Sequence, residues 1–302
     1  NHYYGWSGYD LKHKYNLQFS AYAQYYKDFS ETQHFDIMAG YEWQHFYNDY
    51  YNIGNGFYRD TNNDPEKRGT KYPESESSSK TESYIVSFFG RANYIGWNQL
   101  MLTATVRADG SSRFAPEHRW GIFPSVALGW KIKETFLQDV NEINDLKLRL
   151  GYGITGQQET GLGDYPYMAT YTISQDHAYY PIGGEENMLL DKEGNPVKDS
   201  NGNQLYTTYR PNAFNRYLTW EKTTTYNAGI DFGFLNNRVS GSIDYYFRQT
   251  DDLLNTIPVA VGTNFRNKVI SNVGSLNNQG VEFAINAVAM DKKNFKWDLG
   301  FN

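Results

Sequence analysis

The chain has 302 residues, of which 39% are hydrophobic, 17% are aromatic and none is cysteine. The lack of cysteine excludes a disulfide framework and thiolate metal sites, and the formal net charge of -6 gives no general attraction for nucleic acid. No apolar run approaches the roughly 20 residues of a membrane helix. The mean hydropathy of -0.71 still permits transmembrane β-strands, because their lipid-facing and lumen-facing residues alternate and average to a polar value.

Alternation of apolar and polar residues predicts about ten β-strands. In one of the clearest segments, residues 98–109, Leu102 and Ala104 alternate with Thr103 and Thr105. Several segments approach the roughly 9 to 11 residues that a tilted strand needs to cross a bilayer. The predicted strands lie near residues 15–25, 35–43, 82–97, 98–109, 119–131, 146–156, 226–232, 239–247, 281–289 and 295–301.

One of these segments, residues 146–156 (LKLRLGYGITG), contains a G-x-G-x-x-G sequence. A dinucleotide site would need a helix that begins within these glycines and offers its N-terminal amides to a pyrophosphate. The residues that follow are instead interrupted by Gly161, Gly163 and Pro166 before an apolar helical stripe can form. We therefore interpret the segment as a strand with one apolar and one polar face.

The connections between the predicted strands alternate between short and long. Long connections lie near residues 51–81, 109–119, 155–218 and 251–279. Such an order places all the elaborate loops at one end of a sheet, as in outer-membrane barrels, whose short turns face the periplasm and whose long loops are extracellular. Six tryptophans also fall near predicted strand ends, where the girdles of such barrels lie: Trp43, Trp97, Trp120, Trp130, Trp220 and Trp297. Terminal aromatics could equally close the ends of a soluble barrel or sandwich.

Several motifs, in order along the chain, resemble those of the SusC/RagA-like family of TonB-dependent outer-membrane transporters. They are FGRANY at 89–94, RADGSSRF at 107–114, RWGIFPSVALGW at 119–130 and LKLRLGYGITGQ at 146–157, and residues 218–254 and 272–287 are similar to later barrel strands. The resemblance implies an all-β fold that is part of a large antiparallel transmembrane β-barrel. We expect residues 1–302 to be a segment of that barrel domain, about ten strands of a roughly 22-stranded barrel, without the plug domain.

The resemblance also implies a function and partners. The function is TonB-dependent import of oligosaccharides or oligopeptides across the outer membrane of a Gram-negative bacterium, with no enzymatic activity and no cofactor. The implied partners are the lipid bilayer, a SusD-like surface lipoprotein that caps the mouth, and the TonB–ExbB–ExbD complex, contacted through an N-terminal region outside this chain. A dimer of transporter–lipoprotein pairs is a further expectation. The alternatives are a soluble all-β glycan-binding module that packs sheet on sheet and a passive porin.

Candidate substrate-binding residues lie in the long connection at 155–218. Aromatic rings stack on sugars or grip peptides, and carboxylates bind hydroxyl groups. These candidates are Asp164, Tyr165, Tyr167, Tyr179 and Tyr180, and Tyr171 lies in the same connection. The competing interpretation is that the tyrosines pack the connection against the rim or a partner.

Arg107, Asp109 and Arg113 belong to the RADGSSRF motif and could bind a ligand. We favour a structural role, because Asp109-Gly110 is a turn former and Asp–Arg pairing would hold the root of the connection.

Residues 190–206 (LDKEGNPVKDSNGNQLY) superficially suggest calcium. Their spacing lacks the bidentate Glu that closes an EF-hand loop, and two successive turns explain the pattern better, so we predict no metal site. The histidines have no metal-ligand spacing, and no Ser/His/Asp order or G-x-S-x-G elbow indicates a surface hydrolase.

Overall fold

The fold comes from a computed structural model, which describes residues 3–58, 75–159, 163–178, 187–191, 194–260 and 266–302. In these ranges no helix is long and apolar enough to cross a membrane. The helical elements described are α1 (Ile132–Phe136) and a 3-10 turn (Pro116–His118). The strands described are β1 (Tyr3–Ser30), β2 (Gln33–Tyr58), β3 (Ser75–Gly96), β4 (Leu100–Ser111), β5 (Trp120–Lys131), β6 (Ile143–Gln157), β7 (Tyr171–Ala178), β8 (Tyr206–Pro211), β9 (Glu221–Phe234), β10 (Val239–Asp251), β11 (Leu254–Pro258), β12 (Lys268–Asn272), β13 (Leu276–Lys292) and β14 (Phe295–Phe301).

Ten of these strands form one antiparallel sheet in the order β1-β2-β3-β4-β5-β6-β9-β10-β13-β14. The ten strands predicted from alternation are thereby confirmed in number and order. The remaining strands form two separate hairpins, β7–β8 and β11–β12, inside long connections. Sequence reasoning missed them because each strand is short and carries no sustained apolar alternation. A single large sheet argues against the soluble sandwich, which needs two sheets packed face to face.

The register of the sheet separates an apolar face from a polar face. Residues directly opposite each other in adjacent strands share a face, so each set of opposed residues forms a row. One row across β4, β5, β6, β9 and β10 consists of Leu102, Leu128, Leu150, Ala228 and Tyr245. A row on the other face consists of Thr105, Ser125, Gly153, Thr225 and Arg248. Large side chains on the apolar face, among them Val106, Leu150 and Ile243, are exposed, as contact with lipid requires.

Aromatic side chains mark two levels along the apolar face. Trp130 is paired with Leu100, and Trp120 is paired with Gly110, ten residues further along β4. At ~3.3 Å per residue this is about 33 Å of strand, and a tilt of ~40° reduces it to about 25 Å, the height of the apolar band of outer-membrane barrels. Trp43 lies in the row of Trp120, although in the middle of β2 rather than near a strand end.

The connections confirm the predicted alternation but differ in their limits. At one end the strands are joined by residues 31–32, 97–99, 132–142, 235–238 and 293–294, and at the other by residues 59–74, 112–119, 158–220 and 252–275. The predicted 51–81 connection is too long, because Gly54 still pairs with Ser75 and both strands continue well beyond the apolar band. Alternation could not reveal this extension, since strands that leave the bilayer no longer need an apolar face.

Candidate functional site

The end of the sheet that carries the long connections contains a small buried core. Phe114 from the β4–β5 connection packs with Phe123 of β5, with Leu218 and Trp220 from the β6–β9 connection, and with Ile270 of β12. This cluster, here called the rim core, therefore ties three long connections to one another.

Trp220 corrects one expectation from the sequence. It was predicted to lie in an aromatic girdle, but it is only 4% exposed, and its indole Nε1 donates a hydrogen bond to the backbone oxygen of Arg119 at 2.9 Å. A tryptophan beside a strand end can lie either in a membrane girdle or in a buried core, so its position along the sequence could not distinguish these two environments.

The RADGSSRF motif places an ion-pair network on the polar face, below the rim core. Arg107 Nε donates to Asp109 Oδ1 at 2.7 Å, and Arg107 Nη2 donates to Ser87 Oγ at 2.8 Å. Glu42 Oε1 lies 3.4 Å from the same Nη2 atom, and the guanidinium carbon is 5.9 Å from the centre of the Phe89 ring. Arg107 thus joins β2, β3 and β4, and Asp109 and Ser87 are buried. This is the geometry of a strand-to-strand brace at the root of the connection.

Arg113 and Asp164, predicted from distant parts of the chain, are brought together. Arg113 Nε donates to Asp164 Oδ1 at 3.1 Å, and Arg113 Nη1 donates to Glu159 Oε2 at 2.8 Å. The side chains of Arg113 and Asp164 are only 15% and 12% exposed, whereas that of Glu159 is 63% exposed. The Asp164 carboxylate therefore forms an intramolecular ion pair with Arg113, and this pair links the β4–β5 connection to the β6–β9 connection.

The tyrosine candidates occupy different positions. The hydroxyl of Tyr165 donates to the backbone oxygen of Glu82 at 2.8 Å, which holds the β6–β9 connection against β3. Tyr167 is half-buried. Tyr179 and Tyr180 lie outside the described residues.

More exposed rings occur on the same connection. Tyr217 is 79% exposed and lies 6.0 Å from His118 between ring centres. Tyr171 of β7 is directly opposite Pro211 of β8. Pro211 and Tyr209 are two residues apart on β8 and therefore point to the same face. The two exposed tyrosines, Tyr171 and Tyr209, thus share one face of the β7–β8 hairpin. Sequence reasoning singled out neither Tyr209 nor Tyr217, because exposure of a loop ring leaves no signal in the sequence.

The calcium-like segment forms the turn predicted at Asn201–Asn203, whereas Glu193, in the turn predicted at residues 193–195, lies outside the described residues. Asp199 Oδ1 accepts hydrogen bonds from the backbone amides of Asn201 and Asn203, each at 2.8 Å. Asp191 Oδ1 accepts one from Asn195 in the same way, at 2.7 Å. The Asn203 side-chain amide also donates to Asp199 Oδ2 at 3.0 Å, and this hydrogen bond, together with those from the backbone amides, lowers the pKa of the Asp199 carboxyl below its usual value. Within the described ranges, no group of three or more His, Asp or Glu side chains could hold a metal ion.

A second network on the polar face was not anticipated. Arg149 Nε lies 2.9 Å from Asp231 Oδ2, and Arg149 Nη2 lies 2.8 Å from Oδ1 of both Asp231 and Asp244. Arg149 and Asp244 meet over Gly229, where a Cβ atom would collide with both side chains. The alternation of Arg149 with leucines indicates only its face, because its partners lie on other strands.

Comparison with known proteins gives the family. The family model described as "TonB dependent receptor-like, beta-barrel" matches residues 1–302. The chain belongs to this family. It is 48% identical to the TonB-dependent receptor SusC of Bacteroides thetaiotaomicron and 31% identical to the TonB-dependent receptor P39 of Formosa agariphila. The alignments cover 100% and 95% of this chain but 28% and 25% of these relatives. The solved RagAB peptide transporter matches with a TM-score of 0.76 and 24% identity over 98% of this chain and 30% of its own.

Family membership confirms the resemblance drawn from the motifs and the assignment of the fold as part of a TonB-dependent barrel. Receptors of this family are transporters rather than enzymes, in agreement with the sequence prediction. In such a barrel the apolar face of the sheet contacts lipid, and the polar face lines the lumen. The networks of Arg107 and Arg149 are therefore on the inner wall.

Proposed function

We propose that this chain forms part of the barrel of an outer-membrane receptor that imports oligosaccharides or oligopeptides by TonB-dependent transport. The observation that carries the proposal is the rim core, which holds three long connections together at one end of a sheet with a lipid-facing apolar surface. A barrel that only had to span the membrane would not need its long loops fixed to one another. Organised loops at a single end are suited to capturing a substrate there.

The same end is the proposed position of a SusD-like surface lipoprotein, because that partner would close the mouth over the captured substrate. Contact with the TonB–ExbB–ExbD complex would use parts of the receptor outside these residues, since the chain spans 28% of the length of SusC. A dimer of transporter–lipoprotein pairs belongs to the same proposal. The similarity to SusC over the whole chain supports these assignments.

The residues at this end of the sheet fall into two classes, those that hold the connections in place and those that are exposed to a substrate. Asp164 and Tyr165 hold the β6–β9 connection in place through Arg113 and Glu82, so their effect on the substrate would be indirect. The exposed rings of Tyr171 and Tyr209, with Tyr217, are better placed to stack on sugar rings or on apolar side chains of a peptide. Arg107 would act as a structural brace.

Excision of the β7–β8 hairpin tests the capture role. The backbone amide of Asn212 donates to the oxygen of Thr170 at 2.8 Å, so residues 171–211 can be replaced by a short Gly-Ser linker without separating these ends. Asp164 and Leu218 remain, and the rim core is kept. We expect a folded barrel that no longer takes up a mixed oligosaccharide hydrolysate or a tryptic peptide digest. Unchanged uptake of the probe that the parent receptor imports would contradict capture by this hairpin.

Uptake in cells that lack TonB separates active import from a passive porin. Active import predicts that uptake of the same probe falls to background without TonB. Uptake that persists at the parent rate would instead identify a passive pore.

A further inference from the structure

The sheet is not level at the end that carries the long connections. Strand β3 is paired with β2 as far as Ser75, whereas its pairing with β4 ends at Ile85. Residues 75–84 of β3 therefore continue beyond the last pair with β4. On the side away from β2 this part of β3 is a sheet edge, and such an edge presents backbone N–H and C=O groups to which another strand can bind.

The hydrogen bonds of Tyr84 and Glu82 show which backbone groups of β3 point away from β2. The backbone oxygen of Tyr84 accepts from a backbone amide of the β4–β5 connection at 3.0 Å, and that of Glu82 accepts from the hydroxyl of Tyr165 at 2.8 Å. In an antiparallel strand, the N–H and C=O of one residue point to the same side, and this side alternates along the strand. The pairing of β3 with β2 has no bulge. The amides and carbonyls of Lys80 and Ser78 therefore also point away from β2.

This edge has no partner on the side away from β2 in the described part of the chain. Tyr165 covers Glu82, whereas no described hydrogen bond reaches the outward backbone groups of Lys80 and Ser78. Both residues are exposed. At ~3.3 Å per residue, residues 77–81 present about 17 Å of edge, which is the length of a short strand in a globular protein.

We propose that the edge of β3 at residues 77–81, here called the β3 edge, binds an extended segment of the surface lipoprotein by strand addition. The inference rests on the proposed function, which places that lipoprotein over the same end of the barrel. The outward groups of Lys80 and Ser78 are about 7 Å apart, the distance between alternate residues of any extended polypeptide. In strand addition such backbone hydrogen bonds provide the affinity.

The side chains along the β3 edge leave room for a second strand. Ser77, Ser79 and Thr81 lie on the polar face of the sheet and are small. A lysine on an edge strand commonly prevents strand addition. The Nζ atom of Lys80, however, lies 3.6 Å from Asp49 Oδ2, so its charge is partly balanced within the chain. Lys80 therefore does not close the edge.

A resident partner fits the position of the β3 edge better than a substrate in transit. Lys80 is paired with Asp49, six residues beyond Trp43 on β2. At ~2.5 Å of height per residue of a tilted strand, the edge begins about 15 Å above the level of Trp43. It belongs to the wall of the barrel rather than to the surface that faces the lumen, where a substrate passes. An exposed edge also invites aggregation, which a partner that stays bound prevents.

Hydrogen exchange at single-residue resolution tests this mode of binding. The two samples are the receptor purified in detergent with its lipoprotein and the same receptor purified from cells that lack the lipoprotein. We expect the amides of Ser78 and Lys80 to exchange at least tenfold more slowly in the complex. The amides of Ser77 and Ser79 point to β2 and should be equally protected in both samples. Protection with a period of two residues identifies an added strand, because a covering loop or side chain would not produce it.

Matched proline and alanine variants test the same backbone groups. Ser78→Pro removes an outward N–H without removing a hydrogen bond to β2, a change that edge strands tolerate. Ser78→Ala keeps this N–H and is the control. We expect the Kd of the purified lipoprotein for the receptor to rise at least tenfold for Ser78→Pro and less than twofold for Ser78→Ala. Heat-modifiable electrophoretic mobility measures folding, and if Ser78→Pro does not fold, the exchange pattern decides alone.

The outcomes separate this inference from the proposed function. Equal exchange of Ser78 and Lys80 in the two samples, or equal affinity of the two folded variants, would overturn strand addition and leave the lipoprotein as the lid. Protection of these amides by a tryptic peptide digest, but not by the lipoprotein, would overturn it in favour of an imported peptide. A parent receptor that binds no lipoprotein would contradict both the inference and the proposed lid.

Discussion

Loss of the Arg113–Asp164 pair should loosen the β6–β9 connection without any substrate present. Asp164→Asn keeps the size of the side chain and removes its charge, so Arg113 retains only its contact with Glu159. Arg113→Ala removes both contacts. Because the pair connects two long connections, we expect both variants to increase local opening of residues 163–170.

The magnitude follows from burial. A hydrogen bond to a charged group contributes about 1.5 to 3 kcal/mol, and the side chains of Arg113 and Asp164, 15% and 12% exposed, are screened little by water. This corresponds to a roughly 10- to 150-fold increase in opening, at about 1.4 kcal/mol per factor of ten. Glu159 is 63% exposed, so its contribution should not exceed about 1 kcal/mol. Glu159→Gln is therefore the matched control.

Hydrogen exchange of the intact receptor in detergent, followed by mass spectrometry, measures this opening. Residues 163–170 should exchange faster in both single variants, and the double variant should resemble Arg113→Ala because the two side chains act as a unit. The reasoning is refuted if Asp164→Asn leaves exchange unchanged while uptake is lost. In that case the carboxylate would bind substrate directly.

Three further changes have expected outcomes. Gly229→Ala should destabilise the barrel by about 1 to 3 kcal/mol in thermal unfolding, because the added methyl group would occupy the space of the Arg149–Asp244 contact. Gly151→Ala is the control and should leave the stability unchanged, because a Cβ atom fits there. Equal losses of stability in the two variants would contradict this difference. Leu218→Ala removes a side chain that is 0% exposed in the rim core, so the free energy needed to open the long connections should fall by about 2 to 5 kcal/mol. Protease should then cleave these connections faster. Unaltered cleavage would contradict the role of this core. Because folding lowers the pKa of Asp199, the ionised carboxylate stabilises its turn above about pH 4, the unfolded value, and this stabilisation is lost as the pH falls through the folded pKa. Amide hydrogen exchange across residues 199–203 should therefore become faster at acidic pH. Exchange that does not change between neutral and acidic pH, after correction for intrinsic rates, would refute this prediction.

The sequence predicted most of the sheet because alternation is a local property. Each strand needs one apolar face, so a pattern such as Leu100, Leu102 and Ala104 along β4 is visible from residues two apart. The order of short and long connections gives the two ends of the sheet. The same reasoning placed the 51–81 connection incorrectly, because β2 and β3 continue beyond the membrane, where no apolar face is required. It also placed Trp220 at the membrane interface, since a tryptophan beside a strand end looks alike in a girdle and in a core.

By itself, the sequence determined the strand period, the polarity of the two faces and the family, because each depends on residues close together in the chain. Only the tertiary structure decided which side chains meet across connections and strands. Arg113 reaches Asp164 over 51 residues, Trp220 reaches the backbone of Arg119 over 101 residues, and Arg149 reaches Asp244 over 95 residues. The physical reason is that a single charged or aromatic residue carries no information about its partner until the register of the sheet and the packing of the rim bring the two together.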